Sequence, residues 1–332
     1  MTRTKWTDEK ITAICSGFQP ACVLMAGAEL GVFGALANTR MTAEALAKRL
    51  KTDARAMKVL ADALASMGLL TLRGGRYSLG AGTADVLTET GRRRGLAMVR
   101  HQANCLRNWA QLAWVVRAGR PARRAPSIRG AAADLAAFIE AMDDASRSLA
   151  PELVKRIGPP PFRRLLDIGG GPGTWTIAFL RAAPSACAIL FDLPDVIPIA
   201  RRHIAAAGLQ ERVRLVAGDL ASGHALPQGA DLAWISAIAH MNSRAENREL
   251  FRKARAALVD GGRVLIRDIV MRESRTAPAS GAMFAINMLV NTPRGGTCTF
   301  RELSEDLLAA GFHRPSFLNR GEAMDCVIQA LK

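Results

Sequence analysis

Cysteine is sparse and scattered in this chain of 332 residues. Six cysteines stand at positions 15, 22, 105, 187, 298 and 326. No two form a C-x-x-C pair, and none has a histidine at zinc-finger spacing, so a structural metal site and a disulfide framework are both excluded as expectations. Tyrosine is rarer still: the single one, Tyr77, lies in a turn-rich stretch and is assigned no catalytic role. Long apolar runs are missing too. The longest uncharged stretch near the start, residues 11–28, holds Thr, Ser, Gln and Pro20. A membrane span needs about 20 largely apolar residues, so this stretch reads as a buried pair of soluble helices. The opening MTRTKWTDEK is polar and charged, which argues against a secretory signal and for the cytoplasm.

What is present is enough for two packed domains. Hydrophobic residues make up 49% and charged residues 22%, which excludes a disordered or fibrous chain. The net charge of +16 is unevenly spread. Between Thr88 and Gly130 ten arginines face one acid, Glu89. Such a block could attract an anionic substrate or nucleic acid, or serve as a solvated face.

The first ninety residues read as short helices followed by a hairpin. MTAEALAKRL begins with a capping Thr42, and a second helix starts near Asp53, with Met57, Leu60 and Leu64 along one stripe. TLRGGRYSLG then gives two short strands around Gly74-Gly75. Helix, helix, hairpin is the winged-helix order, which serves DNA binding or dimerisation. Residues 95–150 read as helical apart from a break at 119–127, with one long helix over 131–150. Pro159, Pro160 and Pro161 mark a boundary, since none can continue a helix.

From Arg163 the pattern alternates. Strands are expected at 163–168, 187–193, 212–218, 231–237 and 263–270, with helices between, which indicates a parallel sheet covered on both faces. After a helix at 300–311, two further strands follow without an intervening helix and should add an antiparallel edge. The strongest local signal is LLDIGGGPGT, where a strand feeds a glycine turn that opens a helix. Gly169, Gly171 and Gly173 would let backbone approach a ligand closely. Thr174 stands where a dinucleotide fingerprint needs its third glycine. Asp167 would repel a pyrophosphate but suits a cationic amino-acid ligand. Asp192, in FDLP, is placed to accept hydrogen bonds from ribose hydroxyls. Asp219 ends the third strand at the same edge. Three acids at successive strand ends are hard to explain by packing alone.

With these motifs, residues 163–332 resemble the S-adenosylmethionine-dependent methyltransferase fold. The whole chain resembles the caffeate and acetylserotonin O-methyltransferase family, whose N-terminal winged-helix dimerisation domain is matched by ELGVFGALA and the hairpin. The resemblance implies an α/β Rossmann-like domain with a mostly parallel seven-stranded sheet, behind a mainly helical winged-helix domain. It implies dimerisation in 1–95, a helical linker contributing to dimer and pocket in 96–158, and cofactor binding in 159–332. Cofactor contacts would come from Asp167, Gly169, Gly171, Asp192, Leu193, Asp219, Leu220, Ser236 and Ser146, with S-adenosylhomocysteine as product. Phe138, Met142, Phe284 and Met288 would line the substrate pocket, and His240, oriented by Asp268, would act as general base. The partners implied are a small molecule and a second copy of the chain; nucleic acid and membrane insertion are not expected.

Three departures qualify this. Met241, Asn242, Ser243 and Arg244 replace the acidic and aromatic run that commonly follows the family's histidine, Ser236 stands where a lysine is frequent, and the second acid that would orient the base falls near Cys298. An imidazole can still take a phenol's proton near neutrality. Two alternatives therefore stay open: methyl transfer to a thiol or thioether without a base, and a DNA-binding regulator whose methyltransferase domain only senses ligand.

Overall fold

Capping side chains set where the N-terminal helices begin. Thr42 accepts from the Ala45 amide at 3.2 Å ahead of the helix Ala43–Leu50, and Asp53 accepts from the Ala56 amide at 2.8 Å ahead of Ala54–Ser66. Their apolar stripes, Leu46, Ala47, Met57, Ala61 and Leu64, are buried in one core with Phe33 and Leu36. The hairpin follows as β1 (Leu70–Arg73) and β2 (Arg76–Leu79), paired antiparallel across Gly74 and Gly75. Both glycines have positive φ, 57° and 71°, as a tight two-residue turn requires. The Tyr77 hydroxyl donates to Asp62 Oδ1 at 2.5 Å. Burial and then Asp62 push this phenol up to about 12, so it stays protonated and ties the hairpin to the helix.

The start of the chain corrects an expectation. Two helices are present, Asp8–Ser16 and Phe18–Leu30, but they are not buried: the first has no buried residue and the second only Gly27 and Ala28. Pro20 falls in the first turn of the second helix, where its missing amide is harmless. The run Asp8–Leu30 is long and apolar enough, by length and composition, to cross a membrane. Trp6, Ile11, Ile14 and Phe18 are each more than half exposed.

The computed structural model describes residues 5–220 and 223–332. They fall into two compact units, one of the chain to Arg107 with Ala125–Asp144, the other of Asn108–Arg124 with Ala145–Lys332. The segment 96–158 is thus shared between the units. The single helix expected over 131–150 is two, Ala131–Ser146 and Leu149–Ile157. Ala150, Leu153, Val154 and Ile157 of the latter pack into the core of the second unit. The proline triplet ends this helix, yet the helix already belongs to the domain that follows it.

The second unit is built on seven strands: β3 (Arg164–Ile168), β4 (Cys187–Asp192), β5 (Val213–Ala217), β6 (Ala230–Ser236), β7 (Leu258–Asp268), β10 (His313–Asn319) and β11 (Cys326–Leu331). Their spatial order is β10-β11-β7-β6-β3-β4-β5, parallel except for the antiparallel pairs made by β11. One face is covered by Leu149–Ile157, Thr174–Ala182 and Ile197–Ala206, over Leu165, Leu190, Trp234 and Leu265. The other is covered by Arg244–Ala257 and Phe300–Ala309, over Leu166, Ile235, Ile266 and Phe312. The chain runs outward from β3 to β5 and then returns to the other side of β3 as β6. Ligands in such sheets bind at the carboxyl edge beside that reversal. The strand expected over 263–270 stops at Asp268, because Asp268 Oδ1 takes the Ile269 amide at 2.7 Å. The short β8 (Val270–Met271) then pairs in parallel with β9 (Cys298–Thr299) as a separate ladder.

Candidate active site

The glycine turn after β3 is held against β4, since the amides of Gly169 and Gly170 both reach the Phe191 carbonyl, at 2.8 and 3.4 Å. Gly169, at φ 70°, also has no room for a side chain, because a Cβ would stand 2.7 Å from Ile238. Gly171 differs. Its φ of 55° favours glycine, but nothing lies within 4 Å of where a Cβ would be. The open space at Gly171 is where a ligand can approach the backbone. Its amide donates to Asp192 Oδ2 at 2.7 Å, while Oδ1 takes the Leu193 amide at 2.7 Å. Burial raises the Asp192 carboxyl above the ordinary range despite those two bonds.

Asp167 is fully buried at the end of β3. Its Oδ2 accepts from the Thr176 hydroxyl at 2.6 Å, but Oδ1 has no hydrogen-bond partner. Burial pushes this carboxyl up to about 7, and the charge of Asp192 adds to the rise. A buried acceptor left empty is rare in folded proteins and points to a missing donor. The ammonium of S-adenosylmethionine's amino-acid end would fill it, with the ribose hydroxyls within the chemistry of Asp192. The residues present therefore fit the cofactor.

On the other side of the reversal, the chain leaves β6 through Ala237, whose φ of 58° lies in the left-handed region that non-glycine residues rarely adopt. Its amide remains bonded to the Arg267 carbonyl at 2.9 Å. A short turn, Ala239–Met241, then delivers His240, which is 7% exposed. Asp268, at the end of β7, clamps this residue twice: Oδ2 accepts the His240 amide at 3.2 Å, and Oδ1 lies 2.8 Å from Nδ1. A carboxylate can only accept, so in the neutral imidazole Nδ1 carries the proton and Nε2 keeps the lone pair. The imidazole packs edge-to-face on Phe284, with ring centroids 4.7 Å apart. Burial, followed by Asp268, pushes the Cys298 thiol up to about 12. It stays neutral and offers His240 no second negative charge.

The remaining expected residues are dispersed. Leu193 is 45% exposed and Leu220 half-buried; the Leu220 carbonyl accepts from Lys253 Nζ at 2.9 Å. Asp219, past the end of β5, directs its amide to His224 Nδ1 at 3.5 Å. The Ser236 hydroxyl accepts from Arg267 Nη1 at 2.8 Å. Met288 is buried on the same helix as Phe284, and Ser146 is buried at the end of Ala131–Ser146. Phe138 and Met142 belong to the first unit, where the Phe138 ring meets His101 at 5.2 Å. Sequence reasoning missed three contributors. Thr176 engages Asp167, Asn247 holds the Ala239 carbonyl at 2.9 Å beneath the histidine turn, and Arg267 is buried beside Ser236. Only Thr176 had a local signal, a hydroxyl in the first turn after the glycine loop.

Comparison with known proteins identifies the family. An O-methyltransferase domain matches residues 109–313, and an O-methyltransferase dimerisation domain matches residues 13–89. The chain is 30% identical over 314 residues to 3-hydroxy-5-methyl-1-naphthoate 3-O-methyltransferase of Streptomyces sahachiroi, covering 91% of this chain and 88% of that one. Among solved structures, PigF with SAH superposes with a TM-score of 0.83 at 26% identity, over 98% of this chain and all of that one. Human N-acetylserotonin methyltransferase in complex with SAM shares the fold, with a TM-score of 0.79 at 24% identity, over 100% of this chain and 99% of that one. The chain belongs to the O-methyltransferase family and is an S-adenosylmethionine-dependent enzyme with an N-terminal dimerisation domain.

Proposed function

We propose that this enzyme methylates a hydroxyl of a small aromatic or apolar metabolite, with His240 as the general base. The observation that carries this reading is the clamp of Asp268 on His240, which leaves Nε2 as an acceptor beside the Phe284 ring. Bound S-adenosylmethionine supplies an electrophilic sulfonium methyl. The chain's part is to align the acceptor with it, exclude water and take the hydroxyl proton. Phe284 and the buried Met288 offer an apolar wall suited to a ring, and Met adapts to varied shapes. The relative from Streptomyces sahachiroi is named for O-methylation of a hydroxylated naphthoate, which supports a ring hydroxyl as acceptor. On the cofactor side, Asp167 would take the ammonium, Asp192 the ribose, Asp219 and Leu220 the adenine, and the backbone at Gly169 and Gly171 the close approach.

Two measurements bear on this reading. A screen with methyl-labelled cofactor against phenols, thiols and thioethers should yield labelled phenol ethers, and transfer to sulfur alone would overturn the hydroxyl assignment. Asp192→Ala should weaken S-adenosylhomocysteine binding about 10- to 100-fold, the scale of lost charge-assisted hydrogen bonds. Unchanged affinity by calorimetry in a folded variant would remove Asp192 from the ribose site. The dimerisation domain and the exposed apolar side chains at Trp6, Ile11, Ile14 and Phe18 support a homodimer.

A further inference from the structure

We infer that Arg267 is a cofactor-binding residue that receives the carboxylate at the amino-acid end of S-adenosylmethionine, while Asp167 receives the ammonium. The inference rests on the cofactor and is independent of which atom accepts the methyl group. Arg267 lies within β7, where it is paired with Ser236 on one side and Val327 on the other, and it is 5% exposed. An aliphatic side chain would suit such a position, because burying a guanidinium is costly unless its donors and charge are matched. The match here is incomplete. Nη1 donates to Ser236 Oγ at 2.8 Å, and the guanidinium lies 4.5 Å over the ring of Trp175, but Nε is buried with no partner among the described residues. No carboxylate forms an ion pair with it among the described residues. Asp268 is the next residue and points to the opposite face, both its oxygens engaged with His240 and Ile269. Asp325 is oriented towards Arg156, at 3.8 Å.

Strand register then brings this unmatched cation to the same face as the unmatched acid. Asp167 pairs with Trp234, and Trp234 with Leu265. Ser236 and Arg267 follow two residues later on their strands, so by alternation they share that face, one step nearer the carboxyl edge. Asp167 Oδ1 is likewise buried without a partner. Trp175, which stacks on Arg267, is the second residue of the helix opened by the glycine loop. One face of the sheet, beside the reversal between β3 and β6, thus holds a buried acceptor and a buried donor that are both unfilled and of opposite sign. A zwitterionic α-amino acid group carries the two complementary charges. Burial pushes the Arg267 guanidinium down to about 10, which still leaves it charged at neutral pH.

Calorimetry on the full-length protein tests this with two ligands. S-adenosylhomocysteine has the amino-acid tail, and 5′-methylthioadenosine has the nucleoside and sulfur without it. Arg267→Met should weaken S-adenosylhomocysteine about 10- to 100-fold, as expected for a lost charge-assisted bond, and leave 5′-methylthioadenosine within about twofold. Arg267→Lys should recover part of the loss. Equal weakening of both ligands, or no weakening of either, would overturn the proposal, since a merely structural role cannot single out the tail. If the methionine variant does not fold, the wild type and the lysine variant decide. Decarboxylated S-adenosylhomocysteine keeps the ammonium and should bind the wild type about tenfold or more weakly than the parent, with the lysine variant narrowing that gap. Equal binding of the two by the wild type, or an unchanged gap in the lysine variant, would overturn it.

Discussion

His240→Ala should lower turnover on a phenolic acceptor about 10²- to 10⁴-fold at pH 7, the usual contribution of a positioned general base. Cofactor affinity should barely change, because the imidazole contacts Asp268 and Phe284 and has no bond to the glycine loop or to Asp167. A phenol with pKa near 10 is almost wholly protonated at pH 7. Raising the pH supplies phenolate directly, so the variant's deficit should shrink steadily towards pH 9 while the wild type gains less. A thioether acceptor loses no proton, and for it the deficit should be small and flat with pH. Full activity of the variant on phenols across pH 6–9 would rule out His240 as the base and shift the weight to sulfur. The neutral Cys298 sharpens this test, since among the described residues Asp268 supplies the carboxylate hydrogen-bonded to the ring.

Asp268→Asn carries the second large effect. The asparagine can keep the clamp on the His240 amide through its carbonyl oxygen while turning its amide nitrogen towards Nδ1. That exchange replaces an acceptor by a donor, so the ring must carry its proton on Nε2 instead. The base is then present, correctly placed and in the wrong tautomer. Turnover on a phenol should fall about 10²-fold or more, as in other histidines deprived of the carboxylate that sets their tautomer. The double variant with His240→Ala should be no worse than His240→Ala alone, because residues that act as a unit are non-additive. Losses that multiply in the double variant would show that Asp268 works by some route other than the imidazole. A circular-dichroism melt should accompany the kinetics, since Asp268 also anchors the Ile269 amide at the end of β7.

Much of this protein is legible in its sequence wherever the cause is local. The caps at Thr42 and Asp53, the Gly74-Gly75 turn and the strand–glycine–helix step after Asp167 depend on neighbours a few residues away. The alternation of apolar strands with helices likewise settles a parallel sheet, because each strand must be buried on both faces. The same local signals mislead where the outcome depends on what packs against a segment. The uncharged stretch over residues 11–28 has the composition of a core helix pair, but only Gly27 and Ala28 are buried within it. The apolar face of Leu149–Ile157 decides its allegiance to the second unit, and the prolines that follow do not.

The site divides in the same way. Asp167, Asp192 and the glycines announce themselves through motif and spacing. The charge balance around them arises only when β3, β6 and β7 lie side by side. Ser236 and Arg267 are 31 residues apart and Asp268 is 28 from His240, and strand register, which no local pattern records, brings each pair within hydrogen-bond distance. Whether Arg267 would be a surface charge or a buried one was likewise decided by the neighbouring strands and by Trp175, because burial is a property of what covers a residue. Composition and motif pointed to the family and to the sheet edge proposed for the cofactor. Tertiary packing decided which charges at that edge are left unmatched, since desolvation acts only once the sheet and its helices have closed over them.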